Sequence, residues 1–177
     1  REHIAGYYAH CTALDRCVGE WLDTLAACGI EDNTIVIFTS DHGDMLGSQG
    51  LAKKQSPYAE SIRVPFLLHY PPAGARTVDF QIDPQDLMPT LLGLCGIGIP
   101  ETVQGRDLSS VLAGGEPLHE DLVLLSCYVP FGQWTRDVGG RECRGVRTAR
   151  HTYVRDLDGP WLLYDNRDDP YQLDNLA

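Results

Sequence analysis

Thr34-Ile-Val-Ile-Phe-Thr-Ser-Asp-His-Gly-Asp44 is a short apolar run that ends abruptly in two adjacent residues able to bind a metal. Ile35 to Phe38 are β-branched or aromatic without polar alternation, the pattern of a strand covered on both faces of a parallel sheet. Asp41 and His42 fall at its carboxyl end, the edge where loops leaving an open α/β sheet form ligand crevices. Successive side chains on a regular strand point to opposite faces, so these two converge on one ion only if the chain has left strand geometry. Gly43 makes that departure easy. A carboxylate oxygen beside a neutral imidazole nitrogen suits Mn, Zn or Fe better than Ca or Mg. Taken alone, the pair also fits a solvated turn.

Upstream, Tyr7, Tyr8, Cys11, Leu14, Val18, Trp21, Leu22 and Leu25 recur at intervals of three and four, which predicts an amphipathic helix with one stripe facing a core. Gly29 is placed to end it in a left-handed cap. Downstream, Gly43, Gly47 and Gly50 with Ser48 and Gln49 form a loop at the rim of the candidate site. Lys53 and Lys54 follow, and an ammonium group suits a sulfate or phosphate oxygen. A solvent-exposed lysine pair is the alternative.

Arg63 to His69 reads as a second buried strand and Val78 to Ile82 as a short further one. Asp86 is placed as the N-cap of an apolar helix over Leu87 to Cys95, with Pro89 in its first turn. A turn and short helix follow over Gly105 to Leu112, and Gly114 to Pro117 is the best linker in the chain. The boundary therefore falls near 116, with an α/β core over 1–116 and a small antiparallel β subdomain over 117–177. Its strands are expected at Leu122 to Tyr128, Gly145 to Thr148, Thr152 to Arg155 and Trp161 to Tyr164.

The net charge of -11, from 14 basic and 25 acidic residues in 177, argues against a nucleic-acid partner, which would need a basic stripe. No apolar run approaches the roughly 20 residues of a membrane-spanning helix, so no membrane partner is expected. The cysteines at 11, 17, 28, 95, 127 and 143 show neither zinc-site spacing nor the density of a disulfide-stapled domain. They read as free thiols packed in a core and favour a cytoplasmic location. The chain begins at Arg1 and its methionines are Met45 and Met88, so a fragment of a longer protein is expected.

The central run through Met45-Leu-Gly-Ser48, followed by Lys54-Gln and Tyr58-Ala-Glu-Ser-Ile-Arg-Val-Pro65, resembles the sulfatase family of the alkaline-phosphatase-like superfamily. Tyr7-Tyr-Ala, Leu14-Asp and Val18-Gly stand before it in the same order. Asp86-Leu-Met-Pro-Thr-Leu-Leu92, Leu163-Tyr-Asp, Asp169-Pro and Asn175-Leu-Ala177 stand after it. The resemblance spans essentially the whole chain. It implies an α/β fold: part of an alkaline-phosphatase-like α/β/α sandwich, followed by a small C-terminal antiparallel-sheet subdomain.

The resemblance further implies hydrolysis of sulfate esters, with Asp41 and His42 as ligands of one divalent metal ion, Ca or Mn. Lys54, rather than Lys53, becomes the catalytic lysine that binds the ester, and the substrate is a sulfate-ester (or phosphate-ester) small molecule or glycan. Family members often carry His where Gln49 stands. The family's nucleophile is a formylglycine made within a Cys/Ser-x-Pro/Ala-x-Arg motif. Cys143-Arg-Gly-Val-Arg147 comes nearest, but it has Gly at the middle position and lies in the C-terminal sheet. The nucleophile is thus expected outside this chain, leaving the fragment inactive alone. Two alternatives remain open: the same fold acting as a phosphodiesterase or phosphonate monoester hydrolase, since His42 replaces the Asn of many sulfatases, or a non-catalytic binding module.

Overall fold

The computed structural model describes residues 2–116, 120–132 and 134–177. The first helix, α1, runs Glu2–Ala27. It ends in a Schellman cap: the Gly29 amide donates to the Ala26 carbonyl at 3.0 Å and the Ile30 amide to the Leu25 carbonyl at 3.2 Å. Gly29 takes φ 65, the left-handed conformation that glycine adopts without steric cost. The expectation that one stripe faces a core is corrected. No α1 residue is buried, and Tyr8 and Trp21 are 69% and 68% exposed. Three-and-four spacing reports the chemistry of a face and not which element covers it.

The central strand β1 covers Val36–Thr39 and pairs with β2, Phe66–His69, in the register Val36 to His69 and Thr39 to Phe66. The pairing is antiparallel, and no other described strand joins this two-stranded sheet. This corrects the expected parallel neighbour and two-sided burial: Phe38 is 37% and Leu67 64% exposed. A β-branched run suits burial on both faces but says nothing of partner direction, and within this chain both strands stay partly open. Between them lies the one-turn helix α2, Ala59–Ile62.

Val78 to Ile82 forms no strand. Its backbone is satisfied by side chains instead: Asp121 accepts from the Gln81 amide at 2.6 Å, and Arg106 donates to the Gln81 carbonyl at 3.1 Å. Helix α3, Leu87–Leu94, forms where the apolar pattern placed it. Its expected cap is corrected. Asp83 caps the preceding 3-10 turn Pro84–Asp86 by accepting from the Gln85 amide, while the Asp86 side chain makes no cap to α3. Asp86 is fully buried and clamps Arg106 instead, with the closest contact at 2.6 Å. Arg106 also donates to the carbonyls of Glu120 and Leu122, so this ion pair ties the start of α3 to the C-terminal sheet.

Helix α4 spans Ser109–Ala113. The expected linker begins at its C-terminal cap and reaches Pro117, and residues 117–119 at the expected boundary lie outside the described residues. Beyond them β3 (Leu122–Cys127), β4 (Cys143–Thr148), β5 (His151–Arg155) and β6 (Pro160–Asp165) form one antiparallel sheet in sequence order. Val154, Leu162, Tyr164 and Cys143 make its core, and Tyr58, Leu125, Cys127 and Trp161 pack against them. The cysteines are free thiols, but the expectation that they pack in a core holds only here: Cys11, Cys17, Cys28 and Cys95 are exposed. No described helix is long and apolar enough to cross a membrane.

Candidate active site

Asp41 and His42 leave strand geometry directly after β1, as their convergence requires. The Ser40 hydroxyl donates to the His42 carbonyl at 2.9 Å, and the His42 amide donates to Asp41 Oδ1 at 3.0 Å. This small turn brings Asp41 Oδ2 within 3.5 Å of His42 Nε2. Gly43 serves a different purpose from the conformational freedom first read into it. A Cβ there would lie 1.9 Å from the Glu60 carbonyl oxygen, and the Gly43 amide donates to the Ser61 carbonyl at 2.8 Å. Only glycine lets the chain pass this close to α2.

His42 Nδ1 lies 2.8 Å from the Gly43 carbonyl, which can only accept, so Nδ1 is the donor there and a neutral His42 ring has its lone pair on Nε2. Lys54 Nζ lies 2.7 Å from that Nε2. The structure therefore brings together all three residues singled out in sequence. Desolvation opposes ionisation of Asp41, but the His42 ring, the amides of Asp41 and His42 and the Ser40 hydroxyl outweigh it. The carboxyl is held below its ordinary range. With 84% of its side chain exposed, Asp41 is an ionised carboxylate open to a further ligand.

Lys54 reaches His42 because the loop from 44 to 56 folds back on itself. Asp44 Oδ1 accepts from the amides of Leu46 and Lys53, and the Met45 amide donates to the Lys53 carbonyl at 2.6 Å. Met45 is buried and receives the Ser56 hydroxyl on its sulfur at 3.2 Å. Leu46, Gln49, Lys53 and Gln55 all take positive φ, a concentration of backbone strain typical of sites that position functional groups. Lys53 is used through its backbone, its amide donating to Asp44 and its carbonyl accepting from Met45.

The C-terminal segment holds this loop from behind. Gln49 Nε2 donates to the carbonyls of Tyr171 and Gln172, each at 3.0 Å. The Ala59 amide donates to Oε1 of buried Gln172 at 2.7 Å, and the Tyr58 and Tyr164 rings lie 6.3 Å apart. Gln49 thus acts as a tether in this structure. Sequence reasoning missed Asp44 and Gln172. Asp44 carried a signal, since an Asp two residues before a turn amide commonly accepts from it; nothing local marks Gln172, 123 positions from Gln49.

Beneath Ser40 lies a cavity of about 170 Å³ lined by Thr39, Arg63, Phe80, Val123 and Arg147 among others. Arg147 is buried and donates to Thr152 Oγ1 and Asn166 Oδ1. Burial and the charge of Arg63 push its pKa down to about 10. Cys143 sits in β4 among the sheet core, where burial and the Cys127 thiol raise its pKa, the opposite of an activated nucleophile.

A metal site needs about four or more donors, and Asp41 with His42 supplies an oxygen and a nitrogen. Among the described residues no group of three or more His, Cys, Asp or Glu side chains could hold an ion. The pair is chemically suited to one side of a coordination shell and does not complete it.

A family model described as Sulfatase matches residues 1–97. The chain is 40% identical over 181 residues to the ulvan-active sulfatase of Formosa agariphila, an alignment covering 99% of this chain and 35% of that protein. Its fold matches BT4656, solved in complex with its substrate D-glucosamine-2-N,6-O-disulfate, at a TM-score of 0.80 and 26% identity, covering 94% of this chain and 34% of that one. It also matches the phosphonate monoester hydrolase of Agrobacterium radiobacter at a TM-score of 0.77 and 28% identity, covering 92% and 34%. The chain thus spans about a third of the length of the relatives it matches.

Proposed function

Because this chain belongs to the sulfatase family, we propose that it is the C-terminal portion of a metal-dependent hydrolase of sulfate esters. Asp41 and His42 are its contribution to the metal shell, and Lys54 binds the ester. The observation that carries this reading is the convergence of carboxylate, imidazole lone pair and ammonium: 3.5 Å separates Asp41 from His42 and 2.7 Å separates His42 from Lys54.

When bound, a divalent ion, Ca or Mn, supplies Lewis-acid stabilisation of negative charge on the transferred oxygens. The residues of this chain prepare for it. The Gly43 carbonyl fixes the His42 tautomer so that Nε2 presents a lone pair, and Asp41 stays ionised because its surroundings hold its proton affinity down. The Lys54 ammonium, aimed at the same point by the strained loop, neutralises a sulfate oxygen and orients the ester. The nucleophile, formylglycine by family resemblance, and the remaining metal ligands come from residues outside this chain. A sulfated sugar is the favoured substrate class, supported by the disulfated glucosamine bound to BT4656. The domain division at 116 belongs to the same reading: the smaller C-terminal part meets the site region through the Tyr58–Tyr164 ring contact and, beyond its last strand, through Tyr171 and Gln172, which bond to Gln49 and Ala59.

A second reading, a phosphonate monoester hydrolase or phosphodiesterase, is favoured by the likeness to the Agrobacterium radiobacter enzyme and by the nitrogen ligand His42. Kinetics of the full-length protein on aryl and sugar sulfates, phosphate diesters and phosphonate monoesters separate the two. The higher kcat/KM is expected on sulfate esters, and preference for phosphorus esters by a factor of ten or so would favour the second reading.

A further inference from the structure

Cys127 is the last residue of β3 and Cys143 the first of β4, and they are direct partners across the antiparallel pair. Opposed residues in such a pair project from the same face. Both cysteines meet the same cluster of Val154, Leu162 and Tyr164. Antiparallel partners have Cα atoms about 4.5–5.5 Å apart, inside the roughly 4.4–6.8 Å that a disulfide bridges. Next to them the Arg144 guanidinium lies 3.9 Å over the Tyr128 ring, a diagonal contact at the end of the strand pair. The two strands are therefore held together at the mouth of the intervening loop, 128–142.

We propose that Cys127 and Cys143 form a cross-strand disulfide under oxidising conditions, clamping the loop 128–142. The oxidant is a small-molecule disulfide such as oxidised glutathione. Half-exposed Cys127 attacks one of its sulfurs, losing its proton and releasing one glutathione thiol. Cys143 then loses its proton and attacks the Cys127 sulfur, and the second glutathione leaves. Two protein thiols are oxidised and one glutathione disulfide is reduced to two thiols. The order follows from access, since Cys143 is buried and Cys127 is not.

The clamp bears on the candidate site without taking part in it. Gly132, within the loop and at φ 63, lies beside the side chain of Gln55, where a Cβ would stand in ordinary contact 3.4 Å from its Oε1. Gln55 follows Lys54 directly. Closing the mouth removes conformations of the open loop that packs against Gln55.

The test equilibrates full-length protein in buffers of oxidised and reduced glutathione, alkylates it, and maps its peptides without reduction. The expected result is a linked pair of peptides containing Cys127 and Cys143, with their alkylated forms lost together as the buffer becomes oxidising. In Cys143→Ser, Cys127 should stop as the mixed disulfide with glutathione. Tryptic cleavage after Arg136 and Arg141 should slow in oxidised protein, recover with reductant, and be insensitive to oxidation in Cys143→Ser. Separate alkylation of both thiols in buffers that glutathionylate other cysteines would overturn the disulfide. A linked pair with unchanged cleavage would overturn the clamp.

Discussion

The ammonium of Lys54 lies 2.7 Å from Nε2 of His42, although the two are twelve positions apart and the intervening loop has no regular strand or α-helix. The relationship exists because Asp44 captures two amides of that loop and Met45 anchors it in the interior.

Replacing Lys54 by Met removes the charge while keeping most of the side-chain volume. We expect kcat/KM on sulfate esters of the full-length protein to fall by roughly a hundredfold to a thousandfold, the usual loss when one preorganised charge-stabilising donor is removed. Steady-state kinetics check this, and circular dichroism should show an unchanged fold.

Gly43→Ala places a methyl group on the Glu60 carbonyl. Overpacking against backbone costs about 1–3 kcal/mol, and the displaced turn carries Asp41 and His42 with it. The urea midpoint should fall, and affinity for the divalent ion, read by calorimetry, should fall further than the stability loss alone explains.

The buried Asp86–Arg106 pair should make stability depend on acid pH. Burial of Asp86 opposes ionisation, but the side-chain and backbone bonds from Arg106 outweigh it, so the folded pKa lies below the ordinary value near 3.8. A depressed folded pKa stabilises the protein above the unfolded pKa, and that stabilisation is lost as pH falls through the folded value. Denaturant midpoints measured from pH 6 down to about pH 2 should fall more steeply for the wild type than for Asp86→Asn. Arg106→Leu removes the guanidinium and leaves the buried carboxylate with only the backbone amides of positions 83 and 106, and should cost up to about 3–5 kcal/mol at neutral pH.

Gln49→Ala severs the tether from the site loop to the carbonyls of Tyr171 and Gln172. Each neutral hydrogen bond contributes about 0.5–1.5 kcal/mol. Amide exchange should quicken across 46–55, and KM for sulfate esters should rise, because Lys54 is no longer held in place before substrate binds.

The grouping of Asp41, His42 and Lys54 was partly legible in the sequence, because the strand end that carries the first two is a local signal. An apolar strand followed by Asp-His-Gly singled out Asp41 and His42, while the lysine pair alone also fitted open solvent and Lys54 was picked out only by the family resemblance. The four C-terminal strands were legible for the same reason, since Gly, Asp and Pro punctuate them. What escaped depends on distant partners. The spacing of α1 could not say that its apolar face stays open, and the composition of β1 could not say that β2 runs antiparallel to it. Asp86 looked like a helix cap because its position fits one, yet Arg106, twenty residues away, takes its carboxylate. Gln49 and Gln172 meet across most of the chain, with no pattern at either position to announce it.

In the proposed function Asp41 and His42 form one side of a divalent-metal site serving sulfate-ester hydrolysis. The most direct measurement is sulfate-ester turnover by the full-length protein, stripped with a chelator and titrated with Ca or Mn, compared between wild type and Asp41→Asn. Turnover should vanish on chelation, return with the ion, and require at least about tenfold more of it in the variant. Full turnover after stripping, or identical metal dependence in the two proteins, would contradict it.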